Sequence, residues 1–143
     1  MLPVSLIKII KGKDKVAELE SIYKSKENLE KIINSSHSNK THSQHLQQWS
    51  YYEQHPDEEL EDKNTLILDK MTFSDYDYEI LYTIKNNDVK SLNDLANRLN
   101  KEVSTVQKKI KKLDDAELVT FERGSKNRKI PVVNYDKIEI PIF

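Results

Sequence analysis

The sequence predicts an α+β chain, and three observations carry that prediction. Short runs rich in β-branched residues, Val4–Ile10 and Thr65–Leu68, read as strands. Between and after them, apolar residues recur at spacings of three and four, the period of a helix with one buried face. Near the end, LVTF (118–121) and IPVV (130–133) flank Gly124, one of only two glycines in 143 residues, as the arms of a hairpin flank its turn.

In chain order, Val4–Ile10 is the first expected strand. From Asp14 to Asn34, residues Val16, Leu19, Ile22, Tyr23, Leu29, Ile32 and Ile33 form one helical face, which Lys26 interrupts. The stretch SSHSNKTHSQH (35–45) has the composition of a polar linker. Leu46, Trp49 and Tyr52 follow at spacing three, as on a short helix. Trp49, Tyr51 and Tyr52 suit a core or a dimer contact, or else the wall of a small-molecule pocket. The acidic run Asp57–Asp62 reads as a solvated loop before the second strand.

The signals sharpen from Phe73. Ser74 can cap a helix that turns Tyr76, Ile80, Leu81 and Ile84 to one side. Ser91 and Asp94, three apart, form a capping-box arrangement ahead of the apolar stripe Leu92, Leu95, Ala96 and Leu99. After the tight connection 100–102, Ser104 is expected to cap a third helix with Val106, Ile110 and Leu113 inward. The strands 118–121 and 128–133 then close a hairpin around Gly124, which is expected to supply the positive φ of a tight turn. The alternating KIEIPIF (137–143) is expected to pair with Val4–Ile10. Two short helices joined by three residues, followed by a basic hairpin, make a winged helix-turn-helix. The expected division is 1–70, a small strand–helix–strand extension with a polar linker, and 71–143, the winged unit.

Charge is uneven along the chain. Residues 41–80 hold ten acids and two bases, a balance of −8, whereas residues 98–131 hold ten bases and five acids, +5. The whole-chain charge of −1 is therefore no argument against a nucleic-acid partner, whose footprint is local. With Val106, Ile110 and Leu113 inward, the third helix (104–116) turns Ser104, Thr105, Lys108, Lys111 and Lys112 outward, with Gln107 and Lys109 on the flanks. Ser104, Thr105, Gln107 and Lys108 lie in the half that meets base edges when such a helix enters a major groove. Lys111 and Lys112 fall nearer phosphate, and Arg123, Ser125, Lys126, Asn127, Arg128 and Lys129 of the wing (121–130) are expected on the backbone. The plain alternative is a solvated helix and turn that carry their charge only for solubility.

Other chemistry finds less support. His42 and His45, at i and i+3, could share a metal on a helix, but linker composition and the lack of cysteine argue for a solvated stretch. The sequence shows no catalytic constellation, phosphate loop or cofactor motif. No apolar run is long enough to span a membrane and the start lacks a signal-peptide pattern, so a cytoplasmic protein is expected.

The segments Ser91-Leu92-Asn93-Asp94-Leu95-Ala96, Val103-Ser104-Thr105-Val106 and Leu118-Val119 resemble the winged helix-turn-helix pattern of MarR- and ArsR-type regulators. The tail Pro131-Val132-Val133-Asn134-Tyr135-Asp136-Lys137-Ile138 is similar to a family of regulators in archaea and bacteria whose wing runs into Pro-Val-Val-x-Tyr-Asp-x-Ile. The resemblance covers about 73–143, and the stretch Ser35–Asp62 departs from the pattern. It implies a double-stranded-DNA-binding transcriptional regulator, a homodimer, acting as a repressor or as an antitoxin-like autoregulator. A protein-interaction module that neutralises a partner such as a toxin, without DNA readout, is the alternative.

Overall fold

The computed structural model describes residues 2–70 and 73–142, the side chain of Asn127 excepted. The expected α+β class holds: the elements run β1 (Leu2–Lys11), α1 (Gly12–Tyr23), α2 (Lys26–Ile33), α3 (Lys40–Gln54), β2 (Glu59–Leu68), α4 (Asp75–Asn86), α5 (Leu92–Leu99), α6 (Val103–Asp115), β3 (Thr120–Arg123), β4 (Lys129–Val132) and β5 (Lys137–Glu139). Two compact units emerge, one of Met1–Lys8 with Lys63–Phe143, the other of Ile9–Asp62. The expected cut at 70/71 is thus replaced by cuts at 8/9 and 62/63. The reason is sheet pairing, which draws the first strand and the end of β2 to the C-terminal elements.

In the discontinuous unit a three-stranded sheet has the order β2-β1-β5. β5 pairs antiparallel with β1 in the register Ser5↔Glu139, Leu6↔Ile138, Ile7↔Lys137. This is the expected tie between chain start and tail, but only over 137–139: Ile140, Pro141 and Ile142 lie beyond β5, and Phe143 lies outside the described residues. The Asp136 amide donates to the Ile7 carbonyl at 2.7 Å, and the Ser5 and Thr65 hydroxyls meet at 3.0 Å. Beside the sheet, α4, α5 and α6 bury Ile80, Leu81, Ile84, Leu95, Ala96, Leu99, Val106, Ile110 and Leu113 in one core. Every one of these was legible from helical spacing. Tyr135 adds a buried brace from the tail, its hydroxyl donating to the Leu118 carbonyl at 2.7 Å. Burial pushes that phenol above its ordinary value.

The helix ends explain how α6 is aimed. Ser91 Oγ accepts the Asp94 amide at 3.0 Å and so caps α5. At the other end Asn100 takes a left-handed conformation, φ 54°. Its amide and that of Lys101 return to the Asn97 and Ala96 carbonyls. This is a Schellman closure with asparagine, one of the few non-glycine residues suited to it. The chain can therefore re-enter a helix after only Lys101 and Glu102. Glu102, not Ser104, is the N-cap residue of α6, and it makes no side-chain cap bond. Ser104 already lies within the first turn. α6 ends in a second Schellman closure, with Glu117 at φ 63° and Leu118 N–H donating to the Leu113 carbonyl at 2.8 Å.

α4 is fixed by a reciprocal cap. Ser74 Oγ accepts the Asp77 amide at 3.2 Å, while Asp77 Oδ2 accepts both the Ser74 amide and its hydroxyl at 2.9 Å. Asp77 is 2% exposed. Its second oxygen faces Lys109 Nζ of α6 at 3.5 Å. Burial acts to raise this carboxyl, but the Ser74 donors and the Lys109 charge outweigh it and hold it below its ordinary value of 3.8. The unfolded chain therefore takes up this proton first as pH falls. The contribution to stability is complete above the unfolded value and is lost as pH drops through the folded one. Asp77→Asn should cost about 2 kcal/mol at neutral pH, the scale of a hydrogen bond to a charged group. Thermal melts of both proteins check this: the gap should close below about pH 4.

The helical unit corrects the reading of the polar middle. The single helix expected over 14–34 is two, because Ser25 caps α2 by accepting the Asn28 amide at 3.2 Å and Lys24 turns at φ 74°. The expected linker becomes α3 from Lys40. Asn39 Oδ1 accepts the His42 amide and His42 Nδ1 accepts the Asn39 amide, both at 3.2 Å. Trp49 is buried with Leu19 and Leu29, and Val16, Tyr23, Ile33 and Leu46 pack around them. His45 Nδ1 hydrogen-bonds the Tyr23 hydroxyl at 2.7 Å. Burial lowers that imidazole's pKa, the neighbouring Lys15 charge adding to the effect. The acidic loop is also corrected. From Glu59 onward the chain is already β2, and only Asp57 and Glu58 precede it.

Candidate nucleic-acid interface

α6 sorts its residues cleanly by face. Val106, Ile110 and Leu113 are buried at 0%, 2% and 4% exposure. Ser104, Thr105, Gln107, Lys108, Lys111 and Lys112 are all exposed. Ser104 and Thr105 occupy the first turn, Gln107 and Lys108 the next, and Lys111 and Lys112 the last full turn before the helix ends. Lys109, expected on a flank, is half-buried and turned to α4, where it meets Asp77 and lies 5.7 Å from the Tyr76 ring centroid. Ser74-x-x-Asp77 repeats the capping pattern read at Ser91-x-x-Asp94 and marks Asp77 as a cap, but no local pattern names Lys109 as its partner. Lys101, in the turn before α6, was not singled out by the sequence, and it stands 5.9 Å over the same ring.

The hairpin pairs Thr120↔Val132, Phe121↔Pro131, Glu122↔Ile130 and Arg123↔Lys129. Pro131 sits on an edge, as its missing N–H requires. The loop closes through the Gly124 amide, which donates to the Arg128 carbonyl at 2.7 Å, and the Arg128 amide, which donates to the Ser125 carbonyl at 3.3 Å. Gly124 itself is extended, φ −94° and ψ −171°. The left-handed residue is Lys126, φ 58°, so the expected positive φ falls two residues later. Gly124 is needed for room: a Cβ there would stand 2.9 Å from Ile130 Cδ1 and 3.1 Å from Ile130 Cγ1.

Arg123, Ser125, Lys126, Arg128 and Lys129 are exposed around this loop; the Asn127 side chain lies outside the described residues. Lys129 Nζ rests 5.8 Å over the Phe121 ring. Arg123 and Lys129 are direct cross-strand partners, and like charges so placed destabilise a hairpin. Among the described residues, none of Lys108, Lys111, Lys112, Arg123, Lys126, Arg128 and Lys129 is in an ion pair, whereas Lys85, Arg98 and Lys109 are. Cation density without acidic partners favours an anionic partner from solution.

Residues 72–140, from just before α4 to just past β5, are similar to a protein family described as HVO_A0114. No curated protein and no solved structure matches the chain. Among the described residues, no helix is long and apolar enough to cross a membrane.

Proposed function

We propose that the chain is a sequence-specific double-stranded-DNA-binding transcriptional regulator of the winged helix-turn-helix type, working in the cytoplasm. In this reading the exposed face of α6 enters the major groove. Ser104, Thr105, Gln107 and Lys108 read base edges, and Lys111 and Lys112 meet phosphate. The hairpin loop adds Arg123, Ser125, Lys126, Asn127, Arg128 and Lys129 on the backbone. One small reading head addresses a short site. A homodimer on half-sites about one helical turn apart doubles it, and such a dimer suits a repressor or an antitoxin-like autoregulator.

The observation that carries the reading is the sorting of the basic residues. The cations of α6 and the hairpin stand exposed and without acidic partners among the described residues, and Arg123 and Lys129 are set opposite each other. A surface built only for solubility gains nothing from that opposition.

The test is a titration onto the DNA upstream of the chain's own reading frame and onto an unrelated duplex. With about six to eight phosphates neutralised, affinity should fall by about 10³ or more between roughly 50 and 200 mM salt. The upstream duplex should bind tighter at both. No binding to either duplex at low salt would sink the proposal and leave a protein partner as the leading reading. Arg123→Ala with Arg128→Ala should weaken both duplexes alike and lower the salt slope by about two. A loss confined to one duplex would contradict the backbone role.

A further inference from the structure

The discontinuous unit contains a cavity of about 630 Å³, of whose lining residues the DNA-binding reading uses only Lys112. Leu81, Leu118 and Val133 are among the buried residues on its wall, and Phe73, Tyr78 and Tyr82 line it as exposed aromatics. Tyr78 and Tyr82 are 58% and 55% exposed. Tyr135 also lines the cavity, and its hydroxyl is occupied by the Leu118 carbonyl, so no unsatisfied phenol enters the wall there. The size falls within the range of sites that enclose a drug-sized ligand, and a mostly apolar wall with a few polar groups is their usual make-up.

The charged groups on the wall are biased. Its acids are engaged: Asp77 by Ser74 and Lys109, Asp136 by Lys85 at 3.1 Å. Lys70 and Lys112 also line the cavity, and neither is in an ion pair among the described residues. We propose that this cavity binds an amphipathic organic anion, its apolar body on the aliphatic and aromatic wall and its carboxylate held by Lys70 and Lys112. A second copy of the chain is a poorer occupant. Two-fold pairing on this face would gather two copies each of Lys70 and Lys112 into one interface, concentrating like charge there. The proposal does not require that the chain bind DNA, although Lys112 is common to both readings.

Methyl NMR of the full chain tests it with three probes of equal length: decanoate, decanol and decylamine, each below its micelle-forming concentration. Decanoate should shift the methyl signals of Leu81, Leu118 and Val133 and bind about tenfold tighter than decylamine. Lys70 is exposed, so Lys70→Glu should leave the fold intact. It should weaken decanoate severalfold and leave decanol unchanged. Absence of those methyl shifts with decanoate, or equal binding of decanoate and decylamine, would overturn the proposal. So would ligand-free shifts of the same methyls that grow with protein concentration as the mass doubles, since the cavity would then be an interface between copies.

Discussion

Lys108→Glu should reduce binding to the cognate duplex by about 100-fold or more. A lost base or phosphate contact is worth about 1–3 kcal/mol, each 1.4 kcal/mol is a factor of ten, and the new carboxylate adds repulsion from phosphate. The fold should not feel the change. Lys108 is exposed, lies on the face opposite Val106, Ile110 and Leu113, and has no ion-pair partner among the described residues. Its melting curve should therefore match wild type to within about 0.5 kcal/mol. Unchanged affinity in a folded variant would remove α6 as the recognition helix. Lys109→Glu is the informative contrast. It sets a carboxylate against buried Asp77, so its damage should appear first in stability.

Gly12→Ala is expected to be the most damaging single-methyl change in the helical unit. Gly12 opens α1, its amide donating to the Glu58 carbonyl at 2.8 Å, and the next amide, of Lys13, donates to the Pro56 carbonyl at 2.9 Å. A Cβ on Gly12 would run into the His55 carbonyl oxygen and stand 2.9 Å from the Tyr52 ring. The obstacle is backbone at the end of α3, which cannot step aside by changing rotamer. Overpacking of this kind costs about 3 kcal/mol. Urea titration with Trp49 fluorescence reads the unit directly, because Trp49 is 2% exposed there and is the chain's only tryptophan. The midpoint should fall markedly, and an unchanged midpoint would show that this junction relaxes freely. Gly124→Ala should be milder, since the atoms met there belong to the movable end of the Ile130 side chain.

The two glycines show how far a sequence can be read. Both mark tight places, and the sequence pointed to one of them as a turn. The reason for each, however, is a neighbour distant enough in the chain that no local rule names it: His55 for Gly12, Ile130 for Gly124. The histidine stretch carries the same lesson. Its polar composition reads as linker, yet Asn39 and His42 close a reciprocal cap and the side chains that hold α3 in place, Leu46 and Trp49, lie beyond it. The acidic run likewise reads as a loop by composition, and becomes strand from Glu59 because β1 is there to pair with it.

The sequence by itself determined the parts governed by period and by nearest neighbours. These are the inward faces of α4, α5 and α6, the caps at Ser74 and Ser91, the basic hairpin, and the alternation that pairs the tail with the first strand. Apolar spacing and side-chain reach over three or four residues are local properties, so they survive without coordinates. Only the tertiary structure decided that Lys109 is bound to Asp77 while Lys108, Lys111 and Lys112 stay clear of ion pairs among the described residues, that Lys126 takes the left-handed turn position, and that a cavity opens beside Tyr78 and Tyr82. Each of those depends on which distant side chain or backbone atom fills the neighbouring space, and packing of remote segments sets that, not spacing along the chain.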